Sequence, residues 1–391
     1  MSKPSFTKKV IGMVNDDVPN AVFNALSVVG DINGDGFDDV VIGAVNGKLV
    51  WFENKGEIGE WKMHIIDDQV TNLECGGSLV DLTGNGLPDL ICGNNAGGDG
   101  VYWWENTGRP DEKWTKRLII KTGHMQIHDT IVGDITGDGK KALIFTNQRT
   151  GKGTRIYYIP IPEDPTVSPW PDVQIIAEGK SEPNPYSPAG FQPEEGLAIG
   201  DVDGDGVNEL ICGTHWYKYN GKGWDGYKFA SGYLTCKCAV GDVDGDGRNE
   251  IVLSEGDPVI YGKTQGGKLA WFKPKGDITE MWEEHVLEDN LLDAHSLQLG
   301  DICGNGKVDI FVGEIGVADK QREYKIRLPR LLVFENDGKG NFTRYVIDEG
   351  TGTHEAMLAD TRKRGVLDIV GKPLHDAEIW NVHVWYNNLA K

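Results

Sequence analysis

Side chains that can bind a transition metal recur at one position of a segment that this 391-residue chain repeats seven times. In each repeat the position lies six residues before the first aspartate of a glycine-rich turn. The residues at this position are Ala25, Cys75, His128, Glu195, Cys236, His295 and His354. Imidazole nitrogens and a carboxylate that converge on one point suit zinc, manganese or iron and leave positions open for a substrate.

Equal positions in a repeat lie at equal height when the repeats close into a ring, so these residues should surround one axis. We therefore predict one transition-metal or other divalent ion at the water-filled mouth of a central channel. Its ligands would be His128, His295, His354 and Glu195. The alternative is a set of solvated polar residues that line a pore and bind no ion.

The turns form a second group of candidate cation sites. Carboxylates or amides stand at positions one, three, five and nine, with glycine at four and six, a spacing like that of an EF-hand calcium loop. The pattern predicts structural calcium with the ligands Asp31, Asn33, Asp35 and Asp39; Asp201, Asp203, Asp205 and Glu209; and Asp242, Asp244, Asp246 and Glu250. The alternative is that the aspartates only cap backbone amides in Asx turns. The seventh turn has Arg362 and Arg364 at ligand positions and should bind no cation.

The segments around the turns indicate the fold. Apolar runs enter and leave each turn, and an aromatic-rich run and an alternating run follow, such as Lys48–Phe52 and Trp61–Ile66. Runs rich in β-branched and aromatic residues, punctuated by glycine, are typical of strands. The repeats therefore predict an all-β protein, a seven-bladed β-propeller with four-stranded blades, as a single domain over residues 1–391.

The two ends of the chain predict how the propeller closes. Phe6–Ile11 matches the fourth-strand pattern although it precedes the first repeat, and Val382–Tyr386 matches the third-strand pattern. Pairing the N-terminal strand with the C-terminal strands would complete the seventh blade and remove an open edge.

The repeats, with turns such as the one that begins at Asp201, resemble those of the FG-GAP/VCBS propeller superfamily. This resemblance extends over essentially the whole chain. The superfamily includes integrin heads, lectins and polysaccharide lyases, so this resemblance implies a fold more than a function. The stretch from Leu292 to Asp301, which contains His295, is similar to the corresponding stretch of aldos-2-ulose and 1,5-anhydrofructose dehydratase propellers. That likeness implies elimination chemistry on a keto-sugar.

Elimination next to a carbonyl needs a Lewis acid, a base for the adjacent proton and a donor for the leaving oxygen. The ring ion would be the Lewis acid, and His215 or His124 the base. Arg149 or Lys372 would stabilise the enolate. Substrate contacts are expected from Trp216, Glu314, Tyr261 and Trp380, with Tyr186 and Phe191 in a proline-rich insertion. A polysaccharide lyase that cuts beside a uronate would use the same groups.

The alternative function is a non-catalytic, calcium-stabilised propeller that binds sugar or protein. A net charge of −21 without a basic cluster argues against nucleic acid as a partner. The first residues contain no apolar run typical of a signal peptide, and no segment is long and apolar enough to span a membrane. We therefore expect a cytoplasmic protein with free thiols, although a protein whose export sequence had been removed would look the same. The expected partner is a carbohydrate substrate.

Overall fold

The computed structural model describes residues 3–185 and 194–390. Within these ranges the secondary structure is all β, with 26 strands and no helix. The described segments accordingly include no helix that could cross a membrane. The first strand, β1 (Phe6–Met13), pairs with the end of the chain.

One antiparallel sheet has six strands and contains the first two repeats. It consists of β2 (Phe23–Gly30), β3 (Asp39–Glu53), β4 (Lys62–Val80), β5 (Asp89–Asn94), β6 (Gly100–Glu105) and β7 (Thr115–Lys121). Strand β4 pairs with β3 up to Asn72 and with β5 from Leu73 onward. The sequence predicted two sheets here, whereas β3 and β4 each continue through two predicted strands and join them.

The next four repeats form separate four-stranded sheets. The third repeat gives β8 (Ile127–Gly133), β9 (Ala142–Asn147), β10 (Arg155–Pro160) and β11 (Gln174–Glu178). The fourth gives β12 (Leu197–Gly200), β13 (Glu209–Cys212), β14 (His215–Tyr219) and β15 (Trp224–Lys228). The fifth gives β16 (Cys236–Gly241), β17 (Glu250–Glu255), β18 (Gly267–Lys273) and β19 (Glu283–Leu291). The sixth gives β20 (Ala294–Gly300), β21 (Asp309–Glu314), β22 (Arg330–Asn336) and β23 (Phe342–Glu349).

The last sheet joins the two ends of the chain. It contains β24 (Met357–Ala359), β25 (Asp368–Gly371), β26 (Asn381–Asn387) and β1. The antiparallel register of β1 with β26 runs from Phe6 opposite Asn387 to Met13 opposite Asn381. The predicted pairing of the N-terminal strand with the C-terminal strands is therefore present.

The apolar core lies between neighbouring sheets and repeats. Trp51 and Trp104, from the third strands of the first two repeats, belong to one buried cluster, and Trp271 and Phe334 belong to another. The first strands of successive repeats contact one another, and β24 contacts both β20 and β2. This packing brings residues of equal repeat position together on the inner strands.

Candidate functional site

The predicted ring residues meet near the starts of the inner strands, and their side chains are buried. His128, Glu195 and His295 are each 4% exposed, and His354 is 5% exposed. The packed strands therefore enclose these side chains more than the prediction of a water-filled mouth implies, although His295 lines a cavity. A buried charge must be compensated by a neighbouring group, a proton or an ion.

His128 has an acidic partner at each ring nitrogen. Its Nδ1 lies 2.5 Å from Asp129 Oδ2, and its Nε2 lies 3.3 Å from Glu195 Oε1. The Cys75 Sγ lies 3.2 Å from the same Nε2. A carboxylate at one nitrogen, with the other nitrogen directed at further donor atoms, is the usual environment of a metal-binding histidine.

His295 lies on the other side of Glu195, but both of its acidic contacts are at one ring nitrogen, Nε2. Its Nε2 lies 2.6 Å from Asp257 Oδ1 and 3.5 Å from Glu195 Oε2. His295 Nδ1 and Glu195 Oε2 are both buried and make no hydrogen bond. Buried polar atoms usually have a partner, so an additional group at this place would satisfy them.

Two buried lysines add positive charge to the ring. The Nζ of Lys372 lies 3.4 Å from His354 Nδ1 and donates a 3.2 Å hydrogen bond to the His354 carbonyl. The Nζ of Lys237 lies 2.5 Å from Glu355 Oε1 and 3.8 Å from Asp129 Oδ1. Acidic and basic groups therefore alternate within the buried ring.

The histidines differ in protonation because their neighbours differ. Burial lowers the pKa of His128 and of His295, but their acidic neighbours outweigh burial and raise both pKa values above the ordinary value. Burial and the adjacent Lys372 ammonium together lower the pKa of His354 well below its usual range. Burial also lowers the pKa of Lys372 to about 7. The His295 and His354 rings, with centroids 4.9 Å apart, thus hold protons unequally.

The ring donors form three groups, and sequence reasoning missed part of each. Within each group one donor atom per residue lies within 4.8 Å of the others; the groups are Glu74, Cys75 and His128; Cys75, His354 and Glu355; and Glu195, Asp257 and His295. Glu74 and Glu355 are chain neighbours of ring residues, so their strand position was an available signal. Asp257 follows β17 in an insertion, and no feature of the repeat identifies it.

Of the predicted catalytic residues, Lys372 lies in the ring and Arg149 lies near it. The exposed Arg149 donates from Nε to Gln126 Oε1 at 2.5 Å, and Gln126 donates to Glu74 Oε1 at 3.0 Å. Arg149 is therefore connected to the ring through one amide side chain.

The two predicted bases lie elsewhere on the insertion-bearing face. His124 is half-buried between β7 and β8, and its carbonyl accepts a hydrogen bond from Thr122. His215 begins β14, with Nδ1 3.3 Å from Thr214 Oγ1. Burial, with the nearby Lys228, lowers the pKa of His215 to about 4, so its imidazole is neutral at pH 7. The structure does not bring either residue into the donor groups of the ring.

Two predicted substrate contacts are wrong. Trp216 is 1% exposed and packs in the core against Tyr227, with ring centroids 4.5 Å apart, so no face is available to a sugar. Glu314 is fully buried, and Arg327 and Arg330 bind its carboxylate at 2.6 and 2.9 Å. Residue type alone did not distinguish these packed positions from a binding surface.

The other predicted contacts stay predictions. Tyr261 and Trp380 are half-buried at the insertion-bearing face. Tyr186 and Phe191 lie outside the described residues.

In each aspartate-rich turn the first aspartate accepts hydrogen bonds from backbone amides of the same turn. Asp31 accepts hydrogen bonds from the amides of Gly34 at 2.8 Å and Gly36 at 2.7 Å, and both glycines have positive φ. In the seventh turn, where arginines stand at two ligand positions, Asp360 accepts hydrogen bonds from the amides of Arg364 at 2.9 Å and Gly365 at 2.6 Å. Capping of backbone amides therefore accounts for the first aspartate with or without a cation.

The acid at position nine also has a structural role. Asp39 is buried and accepts hydrogen bonds from Ile32 N at 3.0 Å and Asn54 N at 2.8 Å. Glu209 and Glu250 accept the bonds equivalent to that of Ile32, each at 2.9 Å. These carboxylates attach the turn to the strand that follows it.

Lysines lie among the carboxylates of the two most acidic turns. Lys218 Nζ bonds to Asp203 and lies 2.6 Å from Asp205 Oδ2. Lys273 makes the equivalent contacts in the next repeat, to Asp244 and, at 2.7 Å, to Asp246. A calcium ion bound by the same oxygens would have to displace the ammonium group. The corresponding strand position holds Glu53, Glu105 and Glu335 in repeats whose turns carry fewer carboxylates.

Comparisons with known proteins agree with the repeat architecture. Residues 23–54 match the FG-GAP repeat, and residues 81–145 match the FG-GAP-like repeat. The chain therefore carries FG-GAP repeats on an all-β framework, which supports an FG-GAP propeller. No curated protein sequence matches the chain.

Solved structures resemble the chain at low sequence identity. The Vibrio cholerae biofilm matrix protein Bap1 is 11% identical, with a TM-score of 0.52, over 99% of this chain and 92% of that chain. BBS1N, in complex with ARL6DN, is 10% identical, with a TM-score of 0.53, over 98% and 99%. A Bacillus licheniformis rhamnogalacturonan lyase of type PL11 is 13% identical, with a TM-score of 0.49, over 97% and 75%. At these identities the similarity concerns the fold alone.

Proposed function

We propose that the protein is a metal-assisted carbohydrate lyase or dehydratase whose reaction centre is the buried ring. The observation that carries this proposal is the pair of histidines, His128 and His295, that face Glu195 from two sides. A divalent transition-metal ion, when bound, would act as a Lewis acid on the carbonyl or carboxylate of a sugar.

The residues of the ring fit such an ion. Imidazole nitrogen, carboxylate oxygen and the Cys75 thiol are suitable donors for zinc or iron. Asp129, at Nδ1 of His128, would fix that imidazole as a carboxylate partner, a common second contact of metal-binding histidines. Asp257, which shares Nε2 of His295 with Glu195, would instead be a further oxygen donor. The unpartnered Oε2 of Glu195 supports a missing partner at this point.

Lys237 and Glu355 are suited to the proton and charge transfers of an elimination. Both line the cavity beside the ring. Burial opposes charge on Lys237, but Asp129 and Glu355 raise its pKa well above the ordinary value, so the ammonium persists and can stabilise an enolate. The side chain of Glu355 is 20% exposed, against 6% for Lys237, and its carboxylate can accept the proton next to the carbonyl and return it to the leaving oxygen as the C–O bond breaks. This assignment differs from the sequence-based choice of His215 or His124.

Metal analysis and an absorbance assay test the proposal together. We expect the purified protein to contain transition metal, and His128→Ala and His295→Ala each to lose it. Keto-sugars and uronate-containing saccharides should give an ultraviolet product signal, because elimination creates a double bond conjugated to a carbonyl or carboxylate. His285→Ala is the matched control, since this histidine stacks on Trp271 at the periphery, with ring centroids 3.8 Å apart. Wild-type protein without transition metal and without the product signal contradicts the proposal.

A non-catalytic propeller that binds sugar or protein is the second candidate. The observation that favours it is the presence of Lys237, which compensates the carboxylates of Asp129 and Glu355 without an ion. In that case calcium would be the only metal in the protein, and the three ring histidines would be individually dispensable for ligand binding.

We further propose that the repeats close into a seven-bladed propeller of one domain. The pairing of β1 with β26 and the contact of β24 with β2 support closure. Structural calcium in the turns and a cytoplasmic location are also proposals. The six free cysteines support a reducing compartment.

A further inference from the structure

A cavity of about 400 Å³ follows the inner strands and ends at the ring. At the ring end it is lined by Cys75, Lys237, His295 and Glu355. Each of these strands then continues toward an aspartate-rich turn. The cavity therefore connects the ring with the turn-bearing side of the protein along the axis.

Exposure increases along the cavity toward the turns. Leu79 and Gln298, three or four residues beyond the ring position, are half-buried, whereas Cys75 and His295 are 2% and 4% exposed. On the opposite side of the ring, Asp293 is fully buried. Water thus reaches the cavity from the turn-bearing side, although the longest insertions lie on the other side.

The cavity wall combines hydroxyl groups with aliphatic groups. Ser78 Oγ and Thr130 Oγ1 lie 2.9 Å apart in the wall, and Ser27 Oγ is buried there without a hydrogen-bond partner. Leu79 and Met357 supply apolar surface. A sugar presents hydroxyl groups and C–H faces together, which matches such a wall. The unpartnered His295 Nδ1 is a further buried atom on a residue of this cavity.

The volume restricts the size of the ligand. Small-molecule sites span roughly 300–1,000 Å³, so about 400 Å³ is at the small end of that range. The cavity is axial and ends at the buried ring, so the interior of a long polysaccharide has no straight path across the reaction centre.

We propose that the ring receives a monosaccharide-sized keto-sugar or uronic acid, which enters end-on from the turn-bearing side. The substrate class rests on the proposed function, but the entry route does not. The carbonyl or carboxylate end points toward Lys237 and His295, and the hydroxyl groups contact the Ser and Thr side chains of the wall. A substrate of this size and end-on entry would distinguish the protein from lyases that cut within a polymer.

Thiol labelling tests the entry route without reference to metal or activity. The protein would carry Ser27→Cys, to place a thiol in the wall, and Cys303→Ser, to remove a half-buried thiol at the sixth turn. We expect 2-aminoethyl methanethiosulfonate to modify residue 27, as measured by peptide mass. Adding Gln298→Trp should slow the modification at least tenfold. Met125→Trp, at a 47% exposed position on the insertion-bearing side, should not.

Met357→Trp is a second obstruction, in case Gln298→Trp lowers the melting temperature. The entry route is overturned if Met125→Trp slows the labelling of residue 27 while Gln298→Trp and Met357→Trp leave it unchanged. Turnover by the wild type is then compared between monosaccharides and polymers of the same sugar. Turnover of polymer but not of monosaccharide overturns the substrate class. If the wild type turns over neither monosaccharide nor polymer, but Gln298→Trp or Met357→Trp slows the labelling, the proposed function is contradicted and the entry route stands.

Discussion

His295 Nε2 lies 2.6 Å from Asp257 Oδ1, although the two residues come from different repeats. Asp257 lies in the insertion after β17, and His295 belongs to β20. The contact orients the imidazole and raises its basicity. It also links the insertion-bearing side to the ring.

The first prediction follows from this contact. Asp257→Asn should lower the affinity of the protein for its ring ion by about 10–100-fold, the usual effect of changing a carboxylate that contacts a metal-binding histidine. Competition with a chelator measures the affinity. Asp289→Asn, at an exposed position of β19, is the control and should have no effect. An unchanged affinity in Asp257→Asn would show that the contact is only structural.

The second prediction concerns the lysines in the acidic turns. In the wild-type protein a calcium ion must displace Lys218 and Lys273, which already neutralise these carboxylates, so calcium should raise the melting temperature only at a high concentration. In the combined variant Lys218→Met, Lys273→Met, calcium should raise the melting temperature at lower concentrations, with about 2.7 kcal/mol of stabilisation for each of the two turns at a concentration 100 times the Kd. Lys222→Met, at an exposed lysine outside the turns, is the control. An equal calcium effect in wild type and combined variant would mean that calcium displaces the lysines readily.

The third prediction concerns the pH dependence of stability. Burial raises the pKa of Asp39 to about 8 against backbone hydrogen bonds that lower it. The folded protein then binds a proton that the unfolded chain, with a pKa of about 3.9, has lost. The stabilisation is complete below about pH 4 and is lost as pH rises through about 8. Urea unfolding between pH 5 and 9 should show falling stability, with a smaller slope in Asp39→Asn. An unchanged slope would assign the pH dependence to other groups.

Much of the fold was predictable because it repeats. The spacing of the turns identified the strands, and the match of the first strand to a fourth-strand pattern predicted its pairing with β26. That β3 and β4 each span two predicted strands was not predictable. The residue types at Asn72 and Leu73 do not indicate whether strand pairing continues from one to the next.

The sequence predicted which residues form the ring but not that their side chains are buried. Equal repeat position brought His128, His295 and Glu195 together, as periodicity requires. Burial was missed because a repeat gives the height of a residue along the axis and not the space around it. Asp257 was missed because insertions follow no period, and Trp216 was misassigned because a core tryptophan and a sugar-binding one have the same side chain.

The fourth prediction tests closure of the fold. Deletion of residues 1–12 removes β1 except for its last residue and exposes the edge of β26, which carries unpaired backbone groups. Ile11 would also leave a buried cluster that contains Phe52 and Val384. We expect aggregation or a fall in melting temperature of about 10 °C or more. Melting like that of the full chain would contradict the seven-bladed closure.

The last prediction separates charge balance from catalysis at Lys237. Lys237→Met leaves the buried Asp129 and the partly exposed Glu355 without their ammonium partner, and breaking a buried pair costs up to about 3–5 kcal/mol. The combined variant Lys237→Met, Glu355→Gln should recover part of that stability, because it removes one of the uncompensated charges. Its product signal in the absorbance assay should remain at least about 100-fold below wild type while the metal content is retained, since the group that stabilises the enolate and the proposed base are both missing. If the combined variant recovered both its product signal and its stability, Lys237 would be only a member of a structural ion pair and would take no part in the reaction.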